Sequence, residues 1–170
     1  MRSVIVIFLL SSQFAFGQDT NLEKELKRLY YNAIENEDST ELLLSKTSSL
    51  NESSASILMG YKAMANLLSA KFAWLPTSKL SYFNDGKVLL DAAIKKDPRN
   101  IELIFFRFST QIETPSILGY KEMIDRDRIF LIENFNSVQD SKVREIIKDF
   151  LIQKGKCSQD QKKKILEKIN

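Results

Sequence analysis

The chain has 170 residues, with 25 Lys and Arg against 22 Asp and Glu and a net charge of +3. Histidine is absent and there is a single cysteine, which excludes Cys-His and Ser-His-Asp catalysis, an internal disulfide and a structural zinc site, and removes the commonest metal ligand. Five scattered glycines exclude a Gly-rich phosphate loop, and so small an excess of base is not the clustered footprint that nucleic acid requires.

Residues 1–17 read as a secretory signal. Arg2 supplies the positive start, Val4 to Leu10 is unbroken apolar chain, and Ala15 and Gly17 place small residues three and one before a cut at Gln18. A membrane-spanning helix needs about 20 apolar residues, and Ser11, Ser12 and Gln13 leave this stretch too short. No cysteine lies near the cut, so nothing supports a lipid anchor. The expectation is an exported chain, periplasmic or at the cell surface, that begins at Gln18 and has no stable membrane span. Cleavage removes Arg2 and no acid, so the net charge falls by one. Residues 18–170 are then one domain's worth of chain.

Helical spacing starts at once. In residues 19–35, Leu22, Leu26, Leu29, Tyr30 and Ala33 recur at intervals of three and four, with Asp19 or Thr20 as the cap. A shorter helix over 39–48 carries Leu42, Leu43 and Leu44. Residues 55–74 form the next strong helix, with a stripe of Gly60, Ala63, Ala70 and Ala73 beside Leu58, Met64, Leu67 and Leu68. Glycine in a helix interior costs about 1 kcal/mol against alanine, so Gly60 suggests a close helix contact. Leu75-Pro76 breaks the chain. Thr77 or Ser78 caps a helix running to Lys96, with Leu80, Phe83, Gly86, Leu90, Ala93 and Ile94 inward. Pro98 ends that pattern.

Residues 101–112, "IELIFFRFSTQI", are the most apolar stretch after the signal. Strand is the rival reading, but no second strand-like run exists to pair with it. A helix apolar nearly all round belongs at the centre of a fold. A loop then leads into a helix over 121–135, a second helix spans 138–154 and stops at Gly155, and Ser158 caps a last basic helix. The expectation is an all-α fold of about eight helices, some short, arranged as antiparallel helical hairpins in an array or bundle.

"SILMGYK" at 56–62 returns as "SILGYK" at 116–121. The flanking text does not match, and Gly60 sits in a predicted helix while Gly119 follows Pro115 in a predicted loop. The two are therefore expected to serve different needs: close contact at Gly60, and a turn with positive φ at Gly119. A tyrosine beside each, Tyr61 and Tyr120, would cover the core with its ring and keep its hydroxyl wet.

In "GKVLLDAAIKKDPRN", residues 86–100, Gly86, Leu90, Ala93 and Pro98 fall at spacings of four, three and five. This resembles the second helix of a tetratricopeptide repeat, in which small residues let two helices pack closely and proline turns the chain into the next pair. The first-helix pattern is out of register upstream, and no second full copy follows. The longer stretch 60–120 resembles a group of small exported bacterial proteins described, at most, as tetratricopeptide-like. The likeness implies a helical-repeat fold and no activity.

Five residues stand out as binding candidates: Tyr61, Trp74, Arg107, Gln111 and Tyr120. Arg107, inside "FFRF", must be paired if it is buried. Asp91, Glu102, Asp125 and Asp127 are candidate partners, and a structural ion pair is weighed against an anion-binding arginine. Gln111 lines a pocket or, more ordinarily, reaches solvent near its helix end. Trp74 grips a partner or, more ordinarily, seals the core. In "DRDR", residues 125–128, two acids two apart on a helix point to different faces, which argues against paired-carboxylate catalysis. With no catalytic constellation, metal ligand set or cofactor motif, the sequence points to a non-enzymatic scaffold that binds a protein or peptide. The alternative is a small-molecule or lipid carrier built around Arg107 and the tyrosines.

Overall fold

The computed structural model describes residues 20–168 and is all-helical, with no strand among the described residues. Residues 1–17, read above as a signal, and Asp19, one of the two cap candidates, lie outside them. The helices are α1 (residues 20–33), α2 (Glu37–Thr47), α3 (Ser56–Phe72), α4 (Pro76–Lys96), α5 (Ile101–Glu113), α6 (Ile124–Asn134), α7 (Ser141–Gln153) and α8 (Gln159–Glu167). Single 3₁₀ turns occupy Ser116–Leu118 and Phe135–Ser137. The chain divides into two compact units, 1–93 and 94–170.

In the first unit, the predicted stripe of α1 is the buried one: Leu26, Leu29, Tyr30 and Ala33 face inward. Asn36 caps α2 by accepting from the Ser39 amide at 2.7 Å. Buried Thr40 donates to the Ala33 carbonyl at 2.9 Å and the Asn36 carbonyl at 3.0 Å, tying the end of α1 to the start of α2. A helix leaves its last carbonyls unpaired, and lysines of α3 satisfy them here. Lys62 Nζ donates to the carbonyls of Ser48 (3.0 Å) and Leu50 (2.6 Å), beyond α2, and Lys71 Nζ to that of Ile34 (2.5 Å), beyond α1.

The connector from α3 to α4 is only Ala73–Leu75. The Ala73 amide donates to the Ser69 carbonyl at 2.8 Å, closing α3, and the Lys79 amide to the Leu75 carbonyl at 3.0 Å, opening α4. Pro76 is itself the first helical residue, so neither Thr77 nor Ser78 is the cap. Proline suits that position because the first turn's N–H groups have no helical partner. Leu80, expected inward, is half exposed, whereas Phe83, Gly86, Leu90, Ala93 and Ile94 are buried as the spacing requires.

The tight approach onto α3 lies at Gly86. A Cβ there would stand 2.7 Å from Leu67 Cγ and 2.9 Å from the Ala63 carbonyl oxygen. Gly86→Ala should gain about 1 kcal/mol of helix propensity but lose more to overpacking against α3 backbone, which typically costs about 1–3 kcal/mol. A net loss of about 1 kcal/mol in urea unfolding would establish the contact as the reason for the glycine.

In the second unit, α5 is a helix and not a strand. Asn100 caps it by accepting from the Leu103 amide at 3.2 Å, and Leu103 to Phe108 are all buried. The same unit buries Leu131, Ile132 and Phe135, then Val143, Ile147 and Leu151 of α7 and Ile165 of α8. Phe105 and Phe108 meet the Phe150 ring edge-on at 5.5 and 5.9 Å. Gly119 takes the expected left-handed conformation, φ 61°, just after a 3₁₀ turn.

Helix α6 begins at Ile124, three residues later than predicted. Helix α7 begins at Ser141 because Asp140 caps it, accepting from the amides of Lys142 and Val143 at 3.0 and 3.3 Å. At its other end the left-handed residue is Lys156 (φ 52°), not Gly155. Ser158 caps α8 in a full capping box with Gln161.

Candidate functional site

Arg107 sits in the middle of α5 between Phe106 and Phe108 and is almost wholly withdrawn from water. It is 8 % exposed, and Asp127, near the start of α6, is 1 % exposed. Arg107 Nε donates to Asp127 Oδ2 at 2.8 Å and Nη2 to Oδ1 at 2.7 Å. This parallel fork is the strong form of the arginine–carboxylate pair. Of the four acids the sequence allows, Asp127 is therefore the partner, and the fork that would hold a ligand anion is filled by the protein. The acids of "DRDR" do diverge. Asp127 turns inward, while exposed Asp125 accepts from Arg128 Nη1 at 2.7 Å, and Arg128 Nε donates to the Gly155 carbonyl at 2.7 Å.

Gln111 does not reach solvent. It is 0 % exposed, and neither its Oε1 nor its Nε2 has a hydrogen-bond partner. Its backbone carbonyl accepts from Lys121 Nζ, as does that of Thr114, so Lys121 ties the end of α5 to the following loop. Tyr61 and Tyr120 are both buried whole, Tyr61 against the Tyr30 ring at 6.1 Å. Their hydroxyls are not kept in bulk water, because each tyrosine is inside its unit's core instead of at its edge.

Trp74 departs most from its ordinary role. It does not seal the core but is 91 % exposed, at the centre of the Ala73–Leu75 connector. Phe72, two residues earlier, is half-buried and has Lys71 Nζ over its ring at 5.1 Å. The neighbours Leu75 and Leu80 are each about half exposed and extend the apolar tip. They escape a periodicity reading because Pro76 starts α4 early. The signal that could have found them is the shortness of the break: three residues between two long helices leave the middle one nothing to pack on. In the second unit Ile117 is 93 % exposed on its 3₁₀ turn, a smaller apolar tip.

Cys157 is a free thiol, half-buried, with Sγ 4.0 Å from the Gly155 carbonyl. Burial pushes its pKa up, and Arg128 and Lys162 offset that only in part. A raised pKa lowers the thiolate fraction at neutral pH, the reverse of what a reactive cysteine needs.

Among the described residues no group of three or more Cys, Asp or Glu is gathered as a metal site, and no helix is long and apolar enough to cross a membrane. Comparison with protein-family models, with curated proteins and with solved structures gives no match to this chain, so its reading rests on the geometry above.

Proposed function

We propose that this chain is an exported, non-enzymatic helical module of the cell envelope that grips a partner protein through Trp74. One observation carries the reading: the single tryptophan is 91 % exposed on a connector held at both ends by helix. A tryptophan buries about 150–250 Å² when it is covered. At about 25 cal/mol per Å² that is roughly 4–6 kcal/mol of gross driving force for a partner to collect. The short connector is ordered beforehand, so little conformational entropy is lost on docking. Tryptophan is also among the residues most enriched at binding hot spots.

Two further features support a scaffold. The close contact of Gly86 with α3 is the kind of packing that the small residue of a tetratricopeptide-like helix pair would provide. The residues a carrier would draw on are engaged elsewhere: Asp127 fills the fork of Arg107, and Tyr61 and Tyr120 are in the cores.

The test is a photo-crosslinking residue placed at position 74, with exposed position 41 as control, in the intact cell. A discrete protein adduct from position 74 and none from 41 is the expected result. Trp74→Ala should then weaken the purified pair about thirtyfold, the size of a hot-spot loss of about 2 kcal/mol, with melting temperature unchanged. Equal labelling from both positions, or none from 74, would refute the reading.

A further inference from the structure

A second feature lies wholly within the second unit and is independent of Trp74. A groove of about 350 Å³ runs along the start of α7, floored by Phe135 and bordered by Asn136 and Ser141. Three cations line it, Arg144, Lys148 and Lys168, against one carboxylate, Glu145.

The cations are not equivalent. Lys148 is neutralised: its Nζ lies 3.7 Å from Glu145 and 3.3 Å from Asp149. Arg144 and Lys168 pair with no carboxylate among the described residues. Arg144 Nη1 makes one long bond, 3.5 Å, to the Asn136 carbonyl, leaving most of its donor fork unused. Lys168 Nζ donates to the Glu133 carbonyl at 2.8 Å, and its own carbonyl accepts from Asn136 Nδ2 at 2.5 Å, which fixes its backbone at the groove's edge. Both side chains are only partly exposed. The N-terminus of α7 contributes little, because Asp140 already caps it.

We propose that this groove binds a phosphate monoester. Two cations with no carboxylate partner among the described residues match the charge of such a group, about −1.5 to −2 at pH 7. A guanidinium fork suits its geometry, and the Ser141 hydroxyl and Asn136 amide add neutral hydrogen-bonding groups beside it. A carboxylate would compensate only one of the two cations. The volume falls at the lower end of small-molecule pockets, about 300–1,000 Å³, which leaves room over Phe135 for the carbon skeleton the phosphate is attached to.

Calorimetric titration of the full chain tests this with two sources of the same chemistry: glycerol 3-phosphate in solution, and vesicles of phosphatidylcholine with and without phosphatidic acid. Saturable binding to either source is expected. Arg144→Gln and Lys168→Gln should each weaken it about tenfold, as the loss of one charge-assisted hydrogen bond does. Lys163→Gln, on the exposed side of α8, should leave it unchanged, as should Trp74→Ala. Melting temperatures of the variants verify the fold. Binding to glycerol 3-phosphate identifies a soluble ligand, and binding only to phosphatidic acid vesicles identifies a lipid headgroup. Binding to neither, or an equal loss in Lys163→Gln, would overturn the proposal.

Discussion

Asp127→Ala should destabilise the second unit by about 3–5 kcal/mol, read as a lowered urea midpoint. The size follows from what is left behind. Arg107 is 8 % exposed and lies on α5 among phenylalanines, so with Asp127 gone its guanidinium keeps its charge and loses its carboxylate. An arginine cannot discharge by releasing a proton at any ordinary pH, so the unit either carries the uncompensated charge or opens to hydrate it. Arg107→Ala should be similarly costly, since it strands the carboxylate. Replacing both, Arg107→Met with Asp127→Leu, should fall within about 1–2 kcal/mol of the native chain or exceed it, because desolvating two ions cancels most of their attraction. That pattern of two costly single changes and a mild double change is the signature of a structural pair. A single-variant loss below about 1 kcal/mol would instead mean the pair is wet, and would return Arg107 to the candidates for anion binding.

That Arg107 needed a partner is written in "FFRF", but which partner is not. Asp127 lies four residues before Leu131, on the buried face of α6, whereas Asp125, two residues earlier, points to solvent. The packing of α6 against α5 selects between them. The all-helical fold was legible because its cause is local: apolar residues at intervals of three and four, short polar caps, and no second strand to pair with α5. The ends of helices were less so. Pro76, Ile124 and Ser141 begin helices at positions set by which residue caps or by what precedes it, and each differs from the simplest reading by two or three residues. The exposure of Trp74 runs against its more ordinary reading for the opposite reason. Residue type argues for burial, and only the three-dimensional shortness of the connector overrides it.

The basic residues carry a related lesson. Lys62, Lys71, Lys121, Arg128 and Lys168 all donate to backbone carbonyls at or beyond helix ends. Composition counts these charges as surface, whereas the fold uses them as caps. What distinguishes Arg144 and Lys168 is the groove they share and the lack of a carboxylate partner among the described residues, and neither property is visible in a one-dimensional pattern.

Gln111 was expected to be wet because Glu113 and the helix end lie close by. Yet Ile104, Phe108 and Gln111 are spaced by four and three, the interval of the buried stripe of α5. Its side chain is wholly enclosed, with both amide atoms unpaired. An unpaired buried polar group costs about 1–3 kcal/mol, and here one side chain presents two such atoms. Gln111→Met keeps the unbranched shape and nearly the volume, and thioether sulfur asks for no hydrogen bond. The variant should therefore be more stable than the native chain by about 2 kcal/mol, seen as a higher urea midpoint with an unchanged slope. Gln111→Ala separates the two contributions: it removes the amide but opens a cavity, whose cost offsets the gain, so it should lie below Gln111→Met. If Gln111→Met is instead destabilised, the carboxamide is satisfied in solution, by water that enters beside it or by a ligand.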